Sequence, residues 1–262
     1  MSTIVVVPWH QRSQLDKFID AWGIDWQDGR ILFQQDANRE GCAVTKNKGI
    51  ARAIREGAEI VVVLDDDCFP EAGQTIDNLI AAHVAALQPQ PVRMFEPVTE
   101  PASRGTPYFN HTLTMPVAAS MGFWSHIGDY DAPAQLVRGA THPMVFRREA
   151  VFGKYFPLCG MNLAFKASEW PWCQFINVQR FDDIWQGFLW QKSAYARGLC
   201  FNLAGPIVKH SRQSNVWANL RDEAVNLERN ETIWQDIHTM PLAAYDVMLI
   251  RLGLSTGTLE AP

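Results

Sequence analysis

The chain opens with Ile4 to Val7, an uninterrupted apolar run closed by Pro8, and a run this short bounded by a turn residue reads as a buried strand. Leu15 and Phe18 then fall at helical spacing, and Arg30 to Gln34 returns to a strand pattern that ends in QQDANREG. From Ala43 to Gly57 the apolar positions Val44, Ile50 and Ile54 keep a helical period among Lys and Arg, with Gly57 as the stop. Val61 to Leu64 is a second wholly apolar run, rich in β-branched residues, as in a strand covered on both faces. Strand, helix, strand, helix, strand is the order of the first 67 residues, which predicts a parallel α/β sheet of nucleotide-binding type with right-handed crossovers. No G-x-G-x-x-G or G-K-[ST] loop follows a strand, which argues against a dinucleotide fold or a P-loop.

Beyond the third strand, Ile76, Leu79, Ile80, Val84 and Leu87 share one helical face, and His83 on that helix reads as structural. Residues 88 to 108 are rich in Pro and polar residues and form a long excursion, either a flap on the acceptor side or an insertion. The stretch from Asp222 to Gly253 reads as helical, with Trp234, Ile237 and Leu242 as packing positions. One domain over residues 1–262 is expected: a half over 1–87 that carries the parallel strands, an excursion or flap over 88–128, and a second half over 129–262 that ends in helices.

Composition narrows the class. A length of 262 residues with 47% hydrophobic and 19% charged residues describes a globular chain able to bury roughly three quarters of its unfolded surface. Ten tryptophans suggest aromatic walls in the core or around a flat ligand. A net charge of -5 gives no global attraction to nucleic acid or an anionic membrane. Five scattered cysteines without a CxxC pair predict reduced, mostly buried thiols rather than a zinc site or disulfides. With no basic leader or long apolar run at the amino terminus, a cytoplasmic protein without signal peptide or membrane span is expected.

The chemistry concentrates at Asp65, Asp66 and Asp67, which the third strand delivers to its carboxyl end, where open α/β sheets bind ligands. Three adjacent carboxylates repel, and a hard divalent cation with oxygen ligands offsets that; a solvated acidic turn is the plain alternative. Asp182 and Asp183 begin an amphipathic segment, where a helix dipole favours negative charge and where a simple charged N-terminus would look the same. Two more polar clusters sit in apolar surroundings, CGMNLAF at 159 to 165 and KHSRQSN at 209 to 215.

DDDCF (65 to 69), DYDAPAQLV (129 to 137), CGMNLAF and RFDDIWQGF (180 to 188) together resemble, in family order, the reversibly glycosylated polypeptides and UDP-arabinopyranose mutases. These are similar to GT-A glycosyltransferases. HSRQSN with Trp217, Asn219 and Leu220 resembles the family's carboxy-terminal histidine segment. The resemblance implies a GT-A fold, a Rossmann-like mixed sheet flanked by helices. It also implies that the triplet and His210 hold Mn²⁺ or Mg²⁺ with a nucleotide diphosphate, Asp67 ligating directly and Asp65 facing ribose or a metal-bound water. Imidazole suits Mn²⁺ better than Mg²⁺. Asp183 is then expected as a general base and Asp182 as a ligand of sugar hydroxyls, with Arg180 on phosphate or paired to them. Gly160, Met161 and Asn162 would form a sugar-facing wall. Asp36, with Lys46 and Asn47 beside it, would contact the nucleotide base, and Pro8, Trp9 and Arg12 would line the same pocket.

The expected reading is a metal-dependent glycosyltransferase that moves a sugar from a nucleoside-diphosphate donor, a UDP-sugar, to the hydroxyl of a saccharide, a protein or a modified nucleic-acid base. The alternatives are a mutase acting on the same donor, transfer to a hydroxymethylated DNA base flipped into the site, and an inactive nucleotide-sugar binding module. One departure from the family bears on the choice. The arginine that becomes self-glycosylated in the family aligns with Thr112, in FNHTLTMPVAAS, which argues against the mutase.

Overall fold

The computed structural model describes residues 1–96, 99, 100, 104, 106, 107, 109–178, 180–211, 215–241 and 249. Strand β1 (Thr3–Trp9) leads to helix α1 (Arg12–Trp22), β2 (Ile31–Gln35), α2 (Cys42–Arg55) and β3 (Ile60–Leu64). Leu15, Phe18, Ile19 and Trp22 form the buried stripe of α1, and Gly23 ends it in the left-handed region at φ 60°. All five residues of β3 are buried, as its apolar run requires. β1 continues through Pro8 to Trp9 rather than stopping at the proline, because its pairing with β3 has ended by Val6 and only β2 still runs beside it.

After the triplet come β4 (Cys68–Phe69), α3 (Ile76–Ala86), β5 (Gln90–Arg93), β6 (Thr112–Met115), β7 (Val117–Met121) and β8 (Phe123–His126). Helix α4 (Ala132–Arg138), β9 (Ala150–Val151), β10 (Asn162–Lys166), a 3₁₀ turn (Ala167–Trp172), α5 (Asp182–Ala196), β11 (Cys200–Asn202), β12 (Ile207–His210) and α6 (Val216–Thr239) complete the order. The main sheet runs β2-β1-β3-β10-β7-β11-β9. Its first three strands are parallel, and β10 lies antiparallel between β3 and β7, so the sheet is mixed and flanked by helices, as expected from the resemblance. A second sheet, β4-β12-β8, places His210 opposite Cys68, one residue after the triplet. That pairing joins residues far apart in sequence and brings the histidine to the acidic turn.

The proline-rich excursion is partly an ordered ribbon of β5 and β6, and the rest of it lies in part outside the described residues. Helix α6 starts at Val216, capped by the Asn215 side chain, earlier than the pattern predicts. Ile233 and Ile237, one turn apart, are its buried apolar positions, whereas Trp234 is 41% exposed because it points about 100° away around the helix. Leu242 lies outside the described residues, as do Arg212 to Ser214 of the HSRQSN segment. Four cysteines are buried and Cys42 is exposed, all with free thiols. Among the described residues no helix is long and apolar enough to cross a membrane.

Candidate active site

The turn after β3 stands between two clefts. One, of about 340 Å³, is lined by Pro8, Trp9, His10, Gln11, Gln14, Asp36, Thr45 and the triplet. The other, of about 500 Å³, is lined by Lys46, Asp129, Met161, Arg180, Asp182, Asp183, His210 and Glu223 among others. Cys42, Asp65 and Asp67 line both. The turn is fixed from below: the Asp65 N–H donates to the Met161 carbonyl at 3.0 Å, the Cys68 N–H to the Asp65 carbonyl at 3.0 Å, and the Gln14 side chain to the Asp66 carbonyl at 3.0 Å.

Asp67 and His210 come together across the turn. His210 Nε2 lies 3.7 Å from Asp67 Oδ2, too far for a hydrogen bond and close enough for both to reach one cation. The other ring nitrogen, Nδ1, sits 3.0 Å from the Ile127 carbonyl. Donation there leaves the Nε2 lone pair toward Asp67, the arrangement that orients metal-binding histidines. Burial alone would lower the His210 pKa, but the Asp67 carboxylate and the Ile127 carbonyl outweigh it and raise it. The donor set of one carboxylate and one imidazole fits a divalent ion. Asp65 does not join them: Lys46 Nζ stands 2.9 Å from its Oδ1 and 3.1 Å from its Oδ2. Among the described residues no three acidic, histidine or cysteine side chains converge as a ready-made metal cluster.

Lys46 is the main revision to the sequence reading. It does not stand beside Asp36 at a base site. It is buried, 3.1 Å from the Gly160 carbonyl and over the face of Phe175 at 5.2 Å. Its geometry with Asp65 is that of an ion pair; burial would favour the neutral amine, but Asp65 and the other nearby anions raise the Lys46 pKa and keep it charged.

Asp182 and Asp183 occupy the first turn of α5 as predicted. The Gly160 N–H donates to Asp183 Oδ2 at 2.8 Å. Burial and then the charge of Asp182 push the Asp183 carboxyl up to about 7, against the opposing pull of Lys46. Burial also raises Asp182, with Lys46 the largest opposing influence. A carboxyl group poised near neutrality beside an ionisable partner can hold or release a proton at working pH.

The remaining expectations divide. Pro8, Trp9, Asp66 and Asp36 line the smaller cleft, and Asp36 also binds the N–H groups of Glu40 at 2.7 Å and Gly41 at 3.2 Å. Met161 lines the larger cleft. Gly160 lies just behind its wall, where a Cβ would come within 2.5 Å of the Phe175 ring. Arg12 does not line the smaller cleft; it pairs with Asp16 at 2.7 Å and stacks 4.3 Å over Trp26, because α1 turns its polar face to solvent. Asn47 is a brace, its side chain donating to the Phe175 carbonyl at 2.8 Å and accepting the Phe175 N–H at 2.9 Å. Asn162 is no sugar-facing wall. Fully buried, it binds the Phe123 and Pro206 carbonyls at 3.1 and 2.8 Å and the His83 ring at 2.9 Å. His83 is structural as expected, also bound to Ser120 at 3.0 Å, and burial lowers its pKa to about 4. Arg180 pairs with Glu223 at 2.9 Å rather than with the aspartates.

Known sequences give this geometry a family. A profile of the reversibly glycosylated polypeptides matches residues 56–248. The chain belongs to that family. A probable UDP-arabinopyranose mutase 1 from Pisum sativum is 31% identical over 183 residues, 62% of this chain and 50% of its own. UDP-arabinopyranose mutase 1 from Arabidopsis thaliana is 30% identical over 183 residues, 62% of this chain and 51% of its own. The chain thus spans about half the length of these curated relatives. A mycobacterial protein of solved structure aligns over 96% of this chain and 75% of its own, with a TM-score of 0.42 and 11% identity.

The matched region holds the triplet, Gly160, Asp182, Asp183 and His210, while Trp9, Asp36 and Lys46 precede it. Among the residues of the larger cleft to which the sequence assigns no role are Asp129 and Glu223. Asp129 accepts from the Cys159 thiol at 3.4 Å, and its signal was the DYDAPAQLV string itself. Glu223, 2% exposed, accepts both from Arg180 and, at 2.7 Å, from the Ala132 N–H at the start of α4. It tied the helices α4 and α6 to the loop before Asp182 without any local pattern to mark it.

Proposed function

We propose that this chain binds a UDP-sugar across the acidic turn and breaks and remakes the bond between the sugar and the diphosphate, as an isomerase of the kind its mutase relatives are named for. The observation that supports this is the position of the acidic turn, whose Asp65 and Asp67 line two adjoining clefts of about 340 and 500 Å³. In this reading the nucleoside lies against Trp9, Asp36 and Asp66, and the sugar lies in the larger cleft over Asp182 and Asp183. Asp67 and His210 would hold Mn²⁺ or Mg²⁺; that ion, when bound, offsets the charge that develops on the departing diphosphate. Asp183 accepts or returns a sugar hydroxyl proton, positioned by the Gly160 N–H. Arg180 and Glu223 close the sugar side.

Transfer to an external acceptor hydroxyl, with Asp183 as base, is the second reading. Thr112 favours it, because it stands where the family's glycosylated arginine aligns, at the start of the exposed strand β6 and away from the residues that line the clefts. A cytoplasmic setting accords with four buried free thiols. The test is incubation with UDP-arabinopyranose and other UDP-sugars plus Mn²⁺, followed by chromatography of the nucleotide sugars. A new UDP-sugar isomer without net UDP release supports the isomerase. UDP release that depends on an added acceptor, with a matching mass gain on it, supports the transferase, and neither outcome in a protein that binds UDP leaves a binding module.

A further inference from the structure

Three contacts in series connect the two ends of the site. Asp65, at the triplet, pairs with Lys46 at 2.9 Å; Lys46 donates to the Gly160 carbonyl at 3.1 Å; and the Gly160 N–H donates to Asp183 Oδ2 at 2.8 Å. Every member is held. Lys46 is 3% exposed and lies on Phe175, Asn47 clamps the Phe175 backbone from both sides, and the Phe175 ring leaves no room for a Cβ at position 160. A buried ammonium is costly unless anions and acceptors surround it. Here the anions come from opposite ends of the reaction site, the diphosphate end and the sugar end.

We propose that Lys46 is a positioning residue that couples the two ends: it draws Asp65 away from the metal and, through its charge and through Gly160, sets the orientation and proton affinity of Asp183. The inference rests on the reading of Asp183 as the proton-handling group, and it adds a residue that touches neither the metal nor that proton. One consequence is a division within the triplet, with Asp67 serving the cation and Asp65 serving Lys46. Another is that the charge state of Asp183 depends on Lys46 as well as on its other charged neighbours, Asp182 beside it on α5 and Asp129 across the cleft, with Arg180 near Asp182.

The test reads Asp183 directly, without turnover. In full-length protein carrying ¹³Cγ-labelled aspartate, with Asp183→Asn used to assign the signal, the Asp183 titration is followed by NMR in wild type, Lys46→Gln and Lys46→Arg. An opposite charge a few ångströms away typically moves a carboxyl by one unit or more. Lys46→Gln should therefore move the Asp183 midpoint up by about one unit, and Lys46→Arg should leave it within about half a unit of wild type. Asp65→Asn, which keeps the lysine and releases it toward Gly160, provides a second folded variant and should move the midpoint down. An Asp183 midpoint unchanged in both Lys46→Gln and Asp65→Asn overturns the proposal, and so does a shift in Lys46→Arg as large as in Lys46→Gln. UDP binding with Mn²⁺, measured by calorimetry on the wild type, checks the functional reading separately: its failure with the titration shifts intact removes the substrate and leaves the coupling.

Discussion

Asp183→Asn should make the protein more stable at neutral pH while removing its chemistry. The carboxyl is half-buried next to Asp182, and its folded-state pKa near 7 stands above the ordinary 3.8. The sign follows from proton counting. Between those two values the unfolded chain has released the proton and the folded chain still holds it, so stability falls as pH rises through that window. A gap of roughly three pH units corresponds to about 4 kcal/mol, and because Asp183 shares its charge with Asp182 and keeps some solvent, about 2–4 kcal/mol is the working figure. Asparagine keeps the volume and can still accept the Gly160 N–H through its amide oxygen, so the variant loses the ionisation and little else. Urea denaturation of ligand-free wild type and variant from pH 4 to pH 8 should give stabilities that nearly coincide at pH 4, diverge up to about pH 7 and then run level to pH 8, with the variant the more stable. His83, buried and shifted down to about 4, weakens both proteins below its ordinary 6.5 and cancels in the difference. A difference that does not vary with pH, or a variant less stable at pH 8, would refute the reasoning. On the functional side, loss of a positioned proton acceptor should slow turnover by about 100 to 10,000-fold with UDP affinity nearly unchanged.

Asp67→Ala should abolish the Mn²⁺-dependent part of UDP binding in calorimetry, since it removes one of the two side chains proposed to hold the ion, which stand 3.7 Å apart. Gly160→Ala forces a methyl against the Phe175 ring at 2.5 Å and the Asp183 Cβ at 3.2 Å, so it should cost about 1–3 kcal/mol in denaturant unfolding. Intact-protein mass spectrometry after incubation with UDP-sugars should show no stable sugar adduct on arginine; an adduct mapped to Arg104 would displace Thr112 from its aligned position.

The sequence by itself determined the strands and helices that carry the site. The apolar runs at 4 to 7 and 61 to 64 had no other way to be satisfied than inside a sheet, and the triplet had to emerge at its edge because three charges cannot follow into the core. Asp182 and Asp183 were legible as a helix start because the amphipathic period begins there. What only the tertiary structure decided is which polar side chain faces which partner. Lys46, Asn47 and Asn162 are chemically fit to bind a nucleotide or a sugar, and nothing in their local pattern says that Lys46 turns inward to Asp65 or that both asparagines brace loops. Glu223 reaches Arg180 and Ala132 across 43 and 91 positions, and His210 reaches the triplet only through the pairing of β12 with β4. Burial and backbone periodicity are local properties and can be read along a chain. The pairing of buried charges and hydrogen-bonding groups is settled between distant segments, where each unsatisfied group costs energy until packing supplies its partner.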